Sequence, residues 1–250
     1  CADAALRAGA GLVTIGAPRS IAPVLAAKTT CPTTHAFAET AEGTFAAHAA
    51  LEAAGLLEKF TAAAIGPGVG RHPSTAWFVV ELVRRARLPL VVDADGLNNL
   101  APDLGVLKAR GGGPVILTPH PGEMARLAGI GVADVQRDRW GVAEGLARNC
   151  RAIVVLKGHR TVVTDGDRAY VNETGNPGMA TGGAGDVLTG VILALLCQGL
   201  EPFRAAQLGV YLHGLAGDLA AEQKGQHSMI ATDILDALPQ AFIRHARTVH

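Results

Sequence analysis

Three short, unbroken aliphatic runs constrain this chain more than any other feature: Leu90–Val92, Val115–Leu117 and Ile153–Leu156. Each is followed by a polar or glycine-rich segment and then by a helical pattern. An uninterrupted apolar strand has no face for solvent. It belongs in a sheet covered on both sides, and strands alternating with helices build a parallel one. The expected fold class is therefore α/β, with a mostly parallel central sheet and helices on both faces.

Other elements extend the pattern. Cys1 to Ala8 reads as an Ala-rich helix stopped by Gly9 and Gly11, and Leu12–Ile15 as a buried strand. The stretch to Glu42 lacks periodic apolar residues and reads as loop with one short helix near Ile21–Ala27. Phe45–Phe60 reads as a helix, Ala62–Ile65 as a strand, and Ser74 as the N-cap of a helix carrying Trp77, Val80 and Val83. Later helices are expected at Glu123–Ala128, Val135–Asn149, Val187–Gln198, Ala205–Ala221 and Ile234–His245. Arg160–Val171 reads as a β-hairpin turning at Gly166.

Length and composition narrow the class. A chain of 250 residues without an internal repeat or Pro/Ser-rich linker fits one domain over residues 1–250. Its 22 basic and 22 acidic residues balance, with no basic stripe, which argues against nucleic acid as a partner. No apolar run is long enough to span a bilayer. The four cysteines form no CxxC pair, so neither zinc nor a redox dithiol is signalled, and scattered thiols suit a reducing cytoplasm. The Ala-rich helices suit burial in a homo-oligomer.

The chemistry-bearing segments follow strands, where ligands collect in parallel sheets. Gly175–Asp186 is dense in glycine and runs directly into an apolar helix. Exposed backbone N–H groups and a helix N-terminus together make an anion hole. Asp186 stands beside it, where a base could take a hydroxyl proton as oxygen attacks phosphorus.

Gly66-Pro67-Gly68-Val69-Gly70 is neither a dinucleotide fingerprint nor a Walker loop; it reads as a tight turn or as a pocket wall admitting a large ligand. In Thr118–Glu123, Pro121 suits a first helical position, and Glu123 either complements the helix dipole or joins His120 in the site. Asp93–Asn98 is either an Asx turn or part of the site. Lys157–Thr161 is either a solvated approach to the hairpin or a phosphate-binding segment. His213, in a helix among apolar neighbours, reads as a hydrogen-bonded core histidine, and Asp218 and Asp233 as structural.

Taken in order, Ala5–Ile15, Ala64–Gly70, Val91–Asn98, Val115–Glu123, Val155–Gly158, Gly175–Thr189 and Tyr211–Gly214 resemble the ADP/ATP-dependent NAD(P)H-hydrate dehydratase family. The resemblance implies a ribokinase-like fold. It also implies a hydro-lyase that returns the S epimer of hydrated NADH or NADPH to the active cofactor, with magnesium and with ADP or ATP as co-substrate. On this footing Asp186 is the catalytic base and also contacts the hydrate, with Gly68, Gly70 and His120 around it. Lys157, Gly158, His159, Arg160 and Thr161, with Gly183, Ala184 and Gly185, hold the nucleotide. Glu123 falls where related kinases keep an acid near magnesium, an indirect metal role.

The resemblance links the chain functionally to a hydrate epimerase. It also implies that a first strand and Gly-rich loop, which family members carry ahead of the Ala-rich helix, are missing from this sequence. The alternative within the same superfamily is a vitamin-precursor kinase, which more often has Asn where His120 stands. A third reading is a nucleotide-binding protein without activity; an intact Asp186 and glycine loop speak against it.

Overall fold

A computed structural model describes residues 1–248. In chain order the elements are α1 (Ala2–Arg7), β1 (Thr14–Pro18), α2 (Ala22–Lys28), β2 (Thr33–Phe37), α3 (Ala49–Leu57), β3 (Ala63–Ile65) and α4 (Pro73–Arg85), then β4 (Leu90–Val92), α5 (Ala94–Leu100), α6 (Gly105–Ala109) and β5 (Val115–Leu117). They continue as α7 (Pro121–Ala128), α8 (Val132–Arg137), α9 (Arg139–Cys150), β6 (Ile153–Leu156), β7 (Val162–Thr164) and β8 (Ala169–Val171). Three helices close the chain: α10 (Ala184–Cys197), α11 (Pro202–Lys224) and α12 (Ala231–Thr248).

The main sheet has the order β3-β4-β5-β6-β7-β8. Strands β3 to β6 pair in parallel, and β7 and β8 turn back antiparallel. Side chains alternate across it, as a pleated strand requires. Leu90 and Val92 of β4 join a core with α3 to α9, whereas Val91 joins the opposite core with α1 and α10 to α12. The α4-to-α9 crossovers thus cover one face and the C-terminal helices the other, confirming the α/β class and the covered sheet. β4, β5 and β6 fall where the aliphatic runs place them.

The differences are local and have identifiable causes. β1 begins at Thr14 and ends at Pro18, and Leu12 is 69% exposed. It pairs in parallel with β2, a strand the Thr- and His-bearing sequence hides. Phe45 lies ahead of α3, stacked on Phe78 at 4.5 Å. The cap of α4 is His72, whose Nδ1 accepts from Ser74 N at 3.2 Å; Ser74 Oγ instead donates to Phe45 O. The expected helix 135–149 is broken at Asp138, whose carboxylate caps a fresh start by accepting from Gly141 N at 2.8 Å.

Candidate active site

The carboxyl ends of β3 to β6 hold a buried polar cluster centred on Asp93, directly after β4. Its side chain is 1% exposed. Oδ1 accepts from Lys157 Nζ at 2.6 Å, and Oδ2 accepts from Thr189 Oγ1 at 2.8 Å. Lys157 follows β6, and its backbone N–H donates to Pro119 O at 2.8 Å, which ties it to the segment after β5. Nζ is also 3.9 Å from Glu123 Oε2. Two carboxylates and one ammonium taken out of water cost several kcal/mol, and apolar side chains of the same volume are often no less stable. A charged cluster at the ligand end of the sheet is therefore better explained by what it meets than by stability.

Gly66 shows how tightly this end is built. At φ 134° it lies against the Asp93 backbone, and an added Cβ would overlap the Asp93 carbonyl oxygen. Gly68 and Gly70 also have positive φ, but nothing stands within 4 Å of where a Cβ would be, so the space in front of them is open. Asn99 Nδ2 fixes their turn by donating to Gly70 O at 2.9 Å.

His120 and Glu123 cap α7 reciprocally. His120 Nδ1 accepts from Gly122 N at 3.0 Å and from Glu123 N at 3.4 Å, while Glu123 Oε2 accepts from His120 N at 2.8 Å. The imidazole edge faces outward, 56% exposed. Glu123 is thus committed to a backbone donor, to the His120 ring, whose Nε2 lies 3.4 Å from Oε1, and to Lys157. Among the described residues no group of three or more His, Cys, Asp or Glu could hold a metal ion.

The glycine loop ends at α10. Gly183 occupies the N-cap with φ 88°, and no side chain bonds the first turn. Ala184 N donates to Thr181 O at 3.3 Å, while the amides that follow in the first turn of this fourteen-residue apolar helix have no side-chain cap and can meet an anion. Gly185 faces the cluster: a Cβ there would lie 3.2 Å from Lys157 Nζ and 3.6 Å from Asp93 Oδ2. Asp186 is half-buried in the same turn. Burial pushes its carboxyl up and Asp93 pushes it the same way, against the pull of Lys157. A half-buried carboxylate with a raised pKa, beside uncapped amides and a lysine, has the makings of a general base for phosphoryl transfer.

Of the nucleotide segment, Lys157 joins the cluster, whereas Gly158, His159 and Arg160 are exposed and Thr161 Oγ1 donates to Gly158 O at 2.9 Å. Sequence reasoning left out two residues that shape this region. Thr189 lies three positions after Asp186 and reaches Asp93. Arg139, at the start of α9, donates from Nη2 to Leu156 O at 3.0 Å and to Lys157 O at 3.2 Å, pinning the turn that carries Lys157. The i,i+3 spacing of Thr189 carried a signal; Arg139 carried none. His213 is partly exposed as a residue, but its Nε2 is buried without a hydrogen-bond partner. Burial pushes its imidazole down to about 4, and a hydrogen bond with the Ala184 backbone opposes that shift.

A sequence model of NAD(P)H-hydrate dehydratases matches residues 1–240. The chain belongs to the NAD(P)H-hydrate dehydratase family. The bifunctional NAD(P)H-hydrate repair enzyme Nnr of Moorella thermoacetica is 52% identical over 95% of this chain, which spans 45% of that relative's length. Among solved structures, the ADP/ATP-dependent NAD(P)H-hydrate dehydratase of Bacillus subtilis, co-crystallised with ATP and Mg2+, aligns with a TM-score of 0.77 and 32% identity over 97% of this chain and 82% of that one. A ribokinase-like superfamily protein of Enterococcus faecalis aligns with a TM-score of 0.80 at 24% identity, covering 98% of this chain and 81% of its own, which shows the ribokinase-like fold. In this dehydratase-family chain no helix among the described residues is long and apolar enough to cross a membrane.

Proposed function

We propose that this chain carries out nucleotide-driven dehydration of the S epimer of hydrated NADH or NADPH, with ADP as the preferred phosphoryl donor. The observation that carries the reading is Asp186 in the first turn of α10, behind the side-chain-free N-cap at Gly183 and beside Lys157. Family membership supports the class of reaction to be tested. The form of the loop Gly175-Asn176-Pro177-Gly178-Met179-Ala180, which resembles the ADP-using bacterial branch, motivates the donor.

Each residue has a task. Asp186 takes the proton from the ring hydroxyl of the hydrate as that oxygen attacks the terminal phosphorus of ADP, and the bond to the AMP oxygen breaks. The amides of Gly183 to Gly185 and the Lys157 ammonium hold charge on the transferring group. Hydroxide is a poor leaving group and phosphate a good one. The ring nitrogen then expels phosphate, and loss of a neighbouring ring proton restores the dihydronicotinamide. Lys157 to Thr161 line the nucleotide, and Gly68, Gly70 and the outward edge of His120 line the hydrate.

The carboxylates fit magnesium as an ion carried on the phosphates with its own waters, since Glu123 is already engaged and no group of three or more ligating side chains stands ready among the described residues. Bound there, it supplies charge neutralisation at the nucleotide phosphates. The scattered thiols support a cytoplasmic setting, where an epimerase would feed it the S form.

The test is to run ADP and ATP at saturation with one preparation of hydrate, following the return of dihydronicotinamide absorbance and identifying products. ADP is expected to turn over faster and to yield AMP and phosphate. A phosphorylated product that keeps its phosphate would make the chain a small-molecule kinase, and faster turnover with ATP would overturn the donor assignment.

A further inference from the structure

The phosphoryl loop is not self-supporting. It is held by α11, a helix to which the site assigned above gives no task. At its start, Thr174 Oγ1 donates to Tyr211 O at 2.9 Å. Gly175 N then donates to Asp218 Oδ2 at 2.8 Å, and Asn176 Nδ2 donates to Asp218 Oδ1 at 3.0 Å and to Gly217 O at 3.0 Å. The other end of the Asn176 carboxamide accepts from Gly178 N at 3.0 Å. Every polar atom of that side chain is therefore engaged, and both oxygens of Asp218 hold the loop. At the loop's far end, His213 on the same helix meets the Ala184 backbone.

The fit is also steric. A Cβ at Gly214 would overlap Thr174, and one at Gly217 would overlap the Met179 side chain. Only a bare helix surface allows the loop to seat this closely. The carboxylate of Asp218 then fixes which way the seated loop runs, because it bonds two consecutive residues through two oxygens. Gly175 and Asn176 open the same loop that ends at Gly183, the N-cap of α10.

We infer that Asp218 is a positioning residue for phosphoryl transfer: through its two bonds to Gly175 and Asn176 it sets the placement of the anion hole relative to Asp186. This rests on the proposed function, in which that loop holds the transferring group. The helix N-terminus and glycine density alone would say nothing about α11; the doubly bonded carboxylate and the overlapping Cβ positions do.

The experiment compares Asp218→Ala, Asp218→Asn, Asn176→Ala, the Asp218→Ala/Asn176→Ala pair and Asp186→Asn. For each, kcat and KM for hydrate and ADP, ADP affinity by titration, and the folded fraction are measured. Misplacing reacting groups by about an ångström costs roughly a hundredfold, so Asp218→Ala is expected to lower kcat by about ten- to a hundredfold with ADP affinity kept within about threefold. Asn176→Ala should do the same, the pair no worse than either single change, and Asp218→Asn, which keeps one acceptor, should fall between.

Turnover of Asp218→Ala within about twofold of the parent, losses that multiply in the pair, or a deficit that vanishes on correction for folded fraction would overturn the inference. If Asp218→Ala does not fold, Asp218→Asn decides, since it keeps the side-chain volume and loses one of the two acceptors; turnover within about twofold of the parent would then overturn the inference. An inactive Asp186→Asn beside an unaffected Asp218→Ala would defeat the role of α11 alone. An active Asp186→Asn would defeat the underlying reading of the site.

Discussion

Lys157 Nζ and Asp93 Oδ1 lie 2.6 Å apart, joining the ends of two strands that are not neighbours in the sheet. The pair is buried, and Glu123 is the next carboxylate along. Lys157→Met would leave both acids without a cation. We expect a loss of about 3–5 kcal/mol, the usual cost of breaking a buried pair from one side. Changing Asp93 to Leu as well should recover most of it, and ADP binding should stay weak in both proteins. Urea unfolding of the single and double variants checks this; a single variant as stable as the parent contradicts it.

Asp186→Asn should lose about a hundred- to ten-thousand-fold in turnover, the ordinary weight of a general base. It should also unfold at a higher temperature. Burial raises the Asp186 pKa, so the folded state holds that proton more tightly than the unfolded chain does. Its contribution is most favourable at low pH and is lost as pH rises through the folded pKa. Asparagine removes the ionised form that neutral pH imposes. Thermal melts near pH 7 measure the gain, and a lower melting temperature would refute it.

The same shift places the acid limb of activity. A base works only when deprotonated, so kcat/KM should fall as pH drops through the Asp186 pKa, and that limb should lie above the ordinary aspartate value of about 3.9. A pH profile at saturating ADP locates it.

His213 gives a second acid signature, in stability. Its folded pKa of about 4 lies below the ordinary histidine value of 6.5, so the folded state binds fewer protons across that window. Stability is complete above the upper value and declines as pH falls toward the lower, by about 3 kcal/mol in all. His213→Gln should flatten the pH dependence over this range relative to the parent, as read by denaturant midpoints. Parallel curves for the two proteins would show that His213 does not titrate as described.

Two glycines of one turn should behave differently. Gly66→Ala drives a methyl into the Asp93 carbonyl at a positive φ and should cost more than about 3 kcal/mol or prevent folding. Gly68→Ala meets open space and carries only the strain of its φ, about 1–2 kcal/mol. Expression and unfolding midpoints of the two variants make the comparison.

The sheet was legible because β4, β5 and β6 are buried on both faces and so have no polar residue to interrupt them. β2 was not, because its exposed side carries Thr33 and its buried end only Phe37. The site was legible where it is local: Asp186 and its glycines adjoin in sequence. Asp93 was visible only as one of two alternatives, since an acid after a strand makes an Asx turn as readily as an ion pair; its partners Lys157 and Thr189 stand 64 and 96 positions away. Arg139 escaped altogether, because the bonds that pin the Lys157 turn go to the backbone carbonyls of Leu156 and Lys157, which no side-chain pattern in the sequence marks.

The two apolar cores lie on opposite faces of the sheet, and the site sits where they meet. Thr189 comes from the helices of one face and Glu123 from those of the other, with Asp93 and Lys157 between them. A nucleotide lying from Lys157 to Gly185 would grip both halves at once, like a clasp on a two-part case. At about a hundred times its Kd such a ligand adds about 2.7 kcal/mol to stability. The lifetime of the protein against proteolysis would then follow the adenylate supply, so that a cell rich in co-substrate would also keep more of the catalyst that spends it.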